Sequence, residues 1–231
     1  MNTRRQFPLR NNGYQAKKSI VPSVVRLSQR GRRLKLGSRD TKDAFSPPED
    51  WHEPTEGSEQ YRIIVQDPGP GYQHILTPDQ VRNRLAELPP SFLRALEFVQ
   101  FSRMTRKKQS FPCYGMQWGA TLYLYPLEES REELFFSPPR PEVVNEAKMY
   151  GGRWDRPDDF TWRLSWSEKA IQDYYLNNIL IHELGHLLDN RNSNYTDRER
   201  YAEWFAIQYG YLASGGRSAR RKAVRRRHHG S

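Results

Sequence analysis

The spacing of apolar and polar positions changes along the chain, and those changes mark its elements. Tyr61-Arg62-Ile63-Ile64-Val65 is a β-branched run that predicts a first strand, stopped at Asp67-Pro68-Gly69-Pro70-Gly71. Thr77-Pro78-Asp79-Gln80 supplies an N-cap, a proline at the first helical position and a capping-box glutamine. Val81, Leu85 and Leu88 share one face of the helix that follows, which stops before Pro89-Pro90. Phe92, Leu93, Leu96 and Val99 recur at helical spacing and predict a second helix over residues 91–102. Residues 120–125, between Gly119 and Pro126, give the strongest strand signal in the chain.

Arg103-Met104-Thr105-Arg106-Lys107-Lys108 reads as a basic turn, and residues 128–133 as an acidic surface segment. A short helix is expected over 142–149, beyond Pro138-Pro139-Arg140-Pro141. Phe160-Thr161-Trp162-Arg163-Leu164-Ser165-Trp166 alternates and predicts another strand. Ser167 then caps a helix over 168–189, kinked or split near Asn177-Asn178. Thr196-Asp197-Arg198-Glu199 has capping-box form and starts a last helix, which Gly215-Gly216 ends. Strands followed by helices in this order predict an α+β fold.

Charge divides the chain more sharply than hydropathy does. Residues 1–42 carry a net charge of +11, residues 43–216 a net −8 and residues 217–231 a net +7. Such tails cannot bury enough apolar surface to fold, so disordered arms are expected over 1–42 and 215–231. Residues 43–58, rich in Pro, Glu and Ser, read as a linker to a single domain over 59–214. His52, between Trp51 and Glu53, reads as a surface or docking residue, not a ligand.

No apolar run is long enough to span a membrane, and no apolar stretch follows the basic start as a signal peptide requires. Cys113 is the only cysteine, so neither a disulfide framework nor a cysteine zinc site is available. A cytoplasmic or otherwise intracellular location is the expectation. The alternative is an organellar matrix, with the Arg-rich start as transit peptide. The basic tails suggest nucleic acid as a partner, through phosphate neutralisation.

Chemistry concentrates in Ile181-His182-Glu183-Leu184-Gly185-His186. Residues four apart on a helix share a face, so His182 and His186 can offer two imidazole nitrogens to one metal ion, with Glu183 beside them. Zinc takes such ligands at about 2.0–2.1 Å and keeps an open position for water, whose proton a neighbouring carboxylate can accept. Gly185 lowers helix stability by roughly 1 kcal/mol relative to Ala, which implies that something approaches the helix closely there. Because only residues 190–195 separate the two helices, they should run as an antiparallel hairpin. That hairpin puts Glu199 level with His186, and Glu203 near His182. Glu199 is therefore the expected third zinc ligand, and Glu203 the carboxylate that orients a histidine. The swapped assignment stays open.

These residues, with Glu199-Arg200-Tyr201-Ala202-Glu203-Trp204-Phe205, resemble the gluzincin metallopeptidases. The nearer likeness is to the catalytic domain of the anthrax lethal factor family, and a looser one is to the ImmA/IrrE-type peptidases. The resemblance covers residues 177–209 and implies a zincin-like catalytic domain. It implies that His182, His186 and Glu199 bind zinc, that Glu183 is the general base and that Glu203 lies outside the ligand set. It also implies a strand edge near the metal where substrate adds as an extended strand, for which residues 120–125 and 160–166 are the two candidates. Lethal-factor-type domains carry a tyrosine seven positions before the ligand glutamate. Here Asn192 stands there, and Tyr195 in the same loop is the candidate substitute.

The expected activity is zinc-dependent peptide-bond hydrolysis, acting near nucleic acid through the tails. Two other readings stand beside it. One is a nucleic-acid-associated binding or structural protein that keeps the fold without turnover, and the other is a toxin-like effector protease.

Overall fold

The computed structural model describes residues 49, 50, 52, 53, 60–110 and 113–216. The N-terminal arm, most of the expected linker and all but the start of the C-terminal tail lie outside them. In chain order the strands are β1 (Arg62–Val65), β2 (Tyr72–Gln73), β3 (Phe98–Phe101), β4 (Gly115–Trp118), β5 (Thr121–Leu124), β6 (Leu127–Glu128), β7 (Glu132–Phe135), β8 (Arg153–Asp158) and β9 (Thr161–Ser165). The helices are α1 (Pro78–Ala86), α2 (Arg106–Ser110), α3 (Pro141–Met149), α4 (Glu168–Tyr174), α5 (Leu180–Leu188) and α6 (Tyr195–Phe205). The described chain is thus α+β, as its pattern predicts. None of its helices is long and apolar enough to cross a membrane.

The main sheet has the order β1-β3-β5-β4, with β1, β3 and β5 parallel and β4 antiparallel at one edge. A second sheet runs β7-β9-β8, and β2 pairs with β6. Val99, Phe101, Leu122 and Leu124 of the main sheet share one core with Ile179, Leu180, Ile181 and Leu184. Burial of each such side chain contributes roughly 1.5–3 kcal/mol. The helix carrying the two histidines is therefore fixed by its apolar face before any polar contact is counted.

The run from Ser167 to Leu188 is continuous but not uniform. Ser167 caps α4, and Tyr175–Ile179 then forms a π-helical segment ahead of α5. The irregularity expected at Asn177-Asn178 is that segment. Its polar groups are satisfied from outside: Arg84 Nε donates to Asn177 Oδ1 at 2.7 Å, and Tyr150 OH to the Asn177 carbonyl at 3.1 Å. Arg84 also donates to the Tyr209 carbonyl, in a second π segment, Ala206–Leu212, that continues α6.

Several expectations are corrected. The helix over 91–102 is instead a 3-10 turn, Pro90–Leu93, followed by strand β3. Its Phe-Val-Gln-Phe core is buried at every position between two parallel neighbours, and full burial hides a strand's alternation. The last helix is capped by Asn194, whose side chain accepts from the Asp197 N–H at 2.9 Å, so it starts ahead of Thr196. The acidic segment 128–133 is not all surface. Glu133 is buried and accepts from Tyr114 OH at 2.7 Å and Trp166 Nε1 at 2.9 Å.

The basic turn and the linker are tied together. Lys108 Nζ lies 2.8 Å from Glu49 Oε1, which also accepts from Tyr125 OH at 2.8 Å. The Asp50 carbonyl accepts from Tyr123 OH, and the His52 ring packs on Phe98. Part of the expected linker thus covers the main sheet, and His52 docks there.

Candidate metal centre

α5 and α6 form the expected antiparallel hairpin, and the close approach implied by Gly185 is real. A Cβ on Gly185 would come within 3.0 Å of Ala202 Cα and 3.1 Å of Phe205 Cβ, so α6 packs directly on the histidine helix there. Asp189 ends α5 and holds the connection by accepting from the Arg191 and Asn192 main-chain N–H groups. Asn192 is thereby occupied in the loop, its side chain donating to both Asp189 oxygens.

This packing brings His182, His186 and Glu199 together. His182 Nε2 and His186 Nε2 are 3.1 Å apart, His186 Nε2 is 3.4 Å from Glu199 Oε1, and His182 Nε2 is 3.8 Å from Glu199 Oε2. Ligand atoms about 2.0–2.1 Å from a tetrahedral zinc lie about 3.3–3.4 Å from one another. The observed separations bracket that edge length. All three residues are at least partly buried, and they form the one potential metal-binding group among the described residues. Burial, helped by the Arg198 charge, pushes His186 down to about 4. Its imidazole is neutral at pH 7, the form that ligates a metal.

Glu183 is only 1% exposed, and its Oε1 has no hydrogen-bond partner among the described residues. Buried polar atoms are nearly always paired, so a carboxylate oxygen left open beside three potential metal ligands marks this place as a candidate site. Burial first, and then the Glu199 charge, raise the carboxyl well above the ordinary range, against a hydrogen bond donated by the Gln117 main-chain N–H.

Packing on Glu183 identifies the strand at the site. β5 and β9, the two candidates for a substrate-binding edge, are both interior strands with neighbours on each side. The edge of the main sheet next to Glu183 is β4 instead. A Cβ on its Gly115 would come within 2.7 Å of Ile179 Cγ2 and 3.2 Å of Glu183 Cγ. A bare glycine is what lets strand and helix meet so closely.

Tyr195 is the first residue of α6, half exposed and one turn ahead of Glu199 on the same face. Glu203 lies one turn beyond Glu199, exposed, and outside the ligand group. Its charge is felt by Glu146, which burial pushes up to about 7 and which accepts from Asn178 Nδ2 and Tyr174 OH.

Sequence reasoning missed Gly115, Gln117 and Arg198. The hairpin Trp118-Gly119-Ala120-Thr121, with Gly119 at φ 58°, was the available signal for β4. Arg198 carried none, because an arginine beside a candidate ligand glutamate reads as ordinary helix surface. Protein-family models, curated proteins and solved structures yield no match to this chain.

Proposed function

We propose that this chain is a zinc-dependent metallopeptidase of gluzincin type, built on a zincin-like domain. The observation that carries the reading is the spacing of the three donor atoms, which suits a tetrahedral metal whose fourth position is left to a reactant. Two imidazoles and one carboxylate are a donor set suited to zinc. His182, His186 and Glu199 would hold the ion. Bound there, zinc would supply Lewis acidity, polarising a peptide carbonyl and making water nucleophilic near neutral pH.

The protein's own groups account for the rest. Glu183 takes the proton of the attacking water and passes it to the departing amine. Its unpartnered oxygen, beside the three donor residues, suits both transfers. Glu183 packs against β4 at Gly115, so the edge of β4 lies beside the centre. An extended peptide added to that edge would run past Glu183 with its main chain hydrogen-bonded. Tyr195, one turn from Glu199, is the candidate hydroxyl for the polarised carbonyl oxygen. Glu203 is the candidate outer carboxylate, one turn beyond Glu199 on α6. The substrate is a protein or peptide, and the basic tails would bring the enzyme to nucleic acid.

The test is cleavage of a quenched-fluorescent peptide library by the zinc-loaded full chain. Turnover lost on chelation, restored by zinc and abolished in Glu183→Gln is the expected result. A zinc-loaded wild type that cleaves no peptide overturns the reading.

A further inference from the structure

Glu183 and His186 lie three residues apart on α5, and each is tied to a different element. β4 packs on Glu183: a Cβ on its Gly115 would come within 3.2 Å of Glu183 Cγ, and the Gln117 main-chain N–H two residues on is directed at that carboxylate. The His186 carbonyl accepts from Arg198 Nη2 of α6 at 3.2 Å. The same Arg198 nitrogen reaches Gln117 Oε1 at 3.5 Å. Glu183, Gln117, Arg198 and His186 therefore close a ring through three elements, with the expected base and a histidine of the ligand group both in it.

We propose that Arg198 is a positioning residue of this centre, fixing the distance between the β4 edge and the histidine helix so that Glu183 stays aligned with the three donor atoms. The proposal rests on the peptidase reading above and deepens it.

Three physical points support the assignment. The His186 carbonyl is in the last turn of α5, where carbonyls lack intrahelical donors, and a charged side chain there both caps the helix and opposes its dipole. Arg198 immediately precedes Glu199, so it leaves α6 about 100° around the helix from the ligand. One turn of α6 thus serves the metal cluster with one residue and the strand edge with the next. Third, the Gln117 side chain is held from two sides, its amide nitrogen donating to the Gly119 carbonyl at 2.7 Å and its amide oxygen accepting from Arg198. The contact at 3.5 Å is long, and the charge on the guanidinium is what gives it weight. A guanidinium can serve two acceptors in fixed directions, whereas an ammonium is a point charge that cannot hold both in the same way.

A residue with this role should move the chemical step more than metal binding. Groups that orient ligands cost about 10–100-fold in affinity or activity when lost, and small misplacements of reacting groups are similarly expensive. The experiment compares full-length wild type with Arg198→Met, Arg198→Lys and Gln117→Ala. It reads zinc affinity by chelator competition, kcat and KM on one cleaved peptide, and hydrogen exchange at the Gln117 amide. Arg198→Met should bind zinc within about tenfold of wild type, lose about 10–100-fold in kcat with KM little changed, and exchange the Gln117 amide faster. Arg198→Lys should recover part of both losses, and Gln117→Ala should reproduce the kcat loss.

Unchanged kcat and unchanged Gln117 exchange in a folded Arg198→Met would overturn the proposal. So would full recovery in Arg198→Lys, which would leave only a charge effect. If Arg198→Met does not fold, Gln117→Ala and Arg198→Lys decide the matter alone. If the wild type binds zinc but cleaves nothing, the peptidase reading falls, and exchange at Gln117 still decides whether the ring exists.

Discussion

Gly115 and Ile179, four residues ahead of Glu183, lie so close that β4 and the helical run carrying the histidines leave no room for a methyl group between them. Gly115→Ala would set a Cβ 2.7 Å from Ile179 Cγ2 and 3.2 Å from Glu183 Cγ. Relief requires β4 to lift from α5, and overpacking of this kind costs about 1–3 kcal/mol. The variant should unfold at lower temperature and lose turnover beyond what its remaining folded fraction explains. Thermal melts beside kinetics measure both. Unchanged turnover in a folded variant would show that the strand-to-helix spacing is not critical.

Glu183→Gln keeps the shape of the side chain and removes its ability to take a proton. Zinc content should be retained, because the three donor residues are intact, while turnover falls about 10²–10⁴-fold. Metal analysis and peptide hydrolysis on the same preparation separate the two effects.

Glu133 gives a pH dependence independent of the metal. Burial is the main cause that raises it to about 7, partly offset by the Tyr114 and Trp166 hydrogen bonds. The fold therefore binds this proton more tightly than the unfolded chain, in which the group titrates near 4.5. Stability must fall as pH rises from about 4.5 through about 7, then level off, with an overall loss on the order of 3 kcal/mol from this group. Glu133→Gln cannot ionise, so urea midpoints at pH 5 and pH 8 should differ less in the variant than in wild type. An equal difference in both would mean that Glu133 is ionised in the fold at low cost.

The Lys108–Glu49 pair makes residues before β1 part of the domain. Both side chains are largely buried, so Lys108→Met leaves a buried carboxylate with only the Tyr125 hydroxyl. Removing one partner of such a pair costs about 3–5 kcal/mol. Adding Glu49→Gln should recover much of that loss. A double variant no more stable than the single one, in urea unfolding, would contradict the coupling.

The histidine helix, its glycine and its neighbour were legible in the sequence because each obeys a local rule. Helical spacing puts His182 over His186, a glycine marks the contact with Ala202 and Phe205, and a short connection makes a hairpin. β3 was not legible, because its pattern is set by burial on both faces, which only the assembled sheet supplies. The site's edge strand was missed for a related reason. Residues 120–125 are the better strand by composition because they lie in the middle of the sheet. β4, at the edge, contains a glycine that its packing on Ile179 and Glu183 requires. Arg198 and Gln117 meet across 81 positions of sequence, beyond any periodic signal.

The most direct measurement is the zinc content of purified full-length protein, with His186→Ala and Glu199→Ala beside it. About one zinc per chain in the wild type, lost or strongly weakened in both variants, is the expected result. Failure of the wild type to take up zinc on reconstitution would contradict the metal centre. Undiminished binding in Glu199→Ala would contradict its ligand set, leaving Glu203 as the carboxylate to test next.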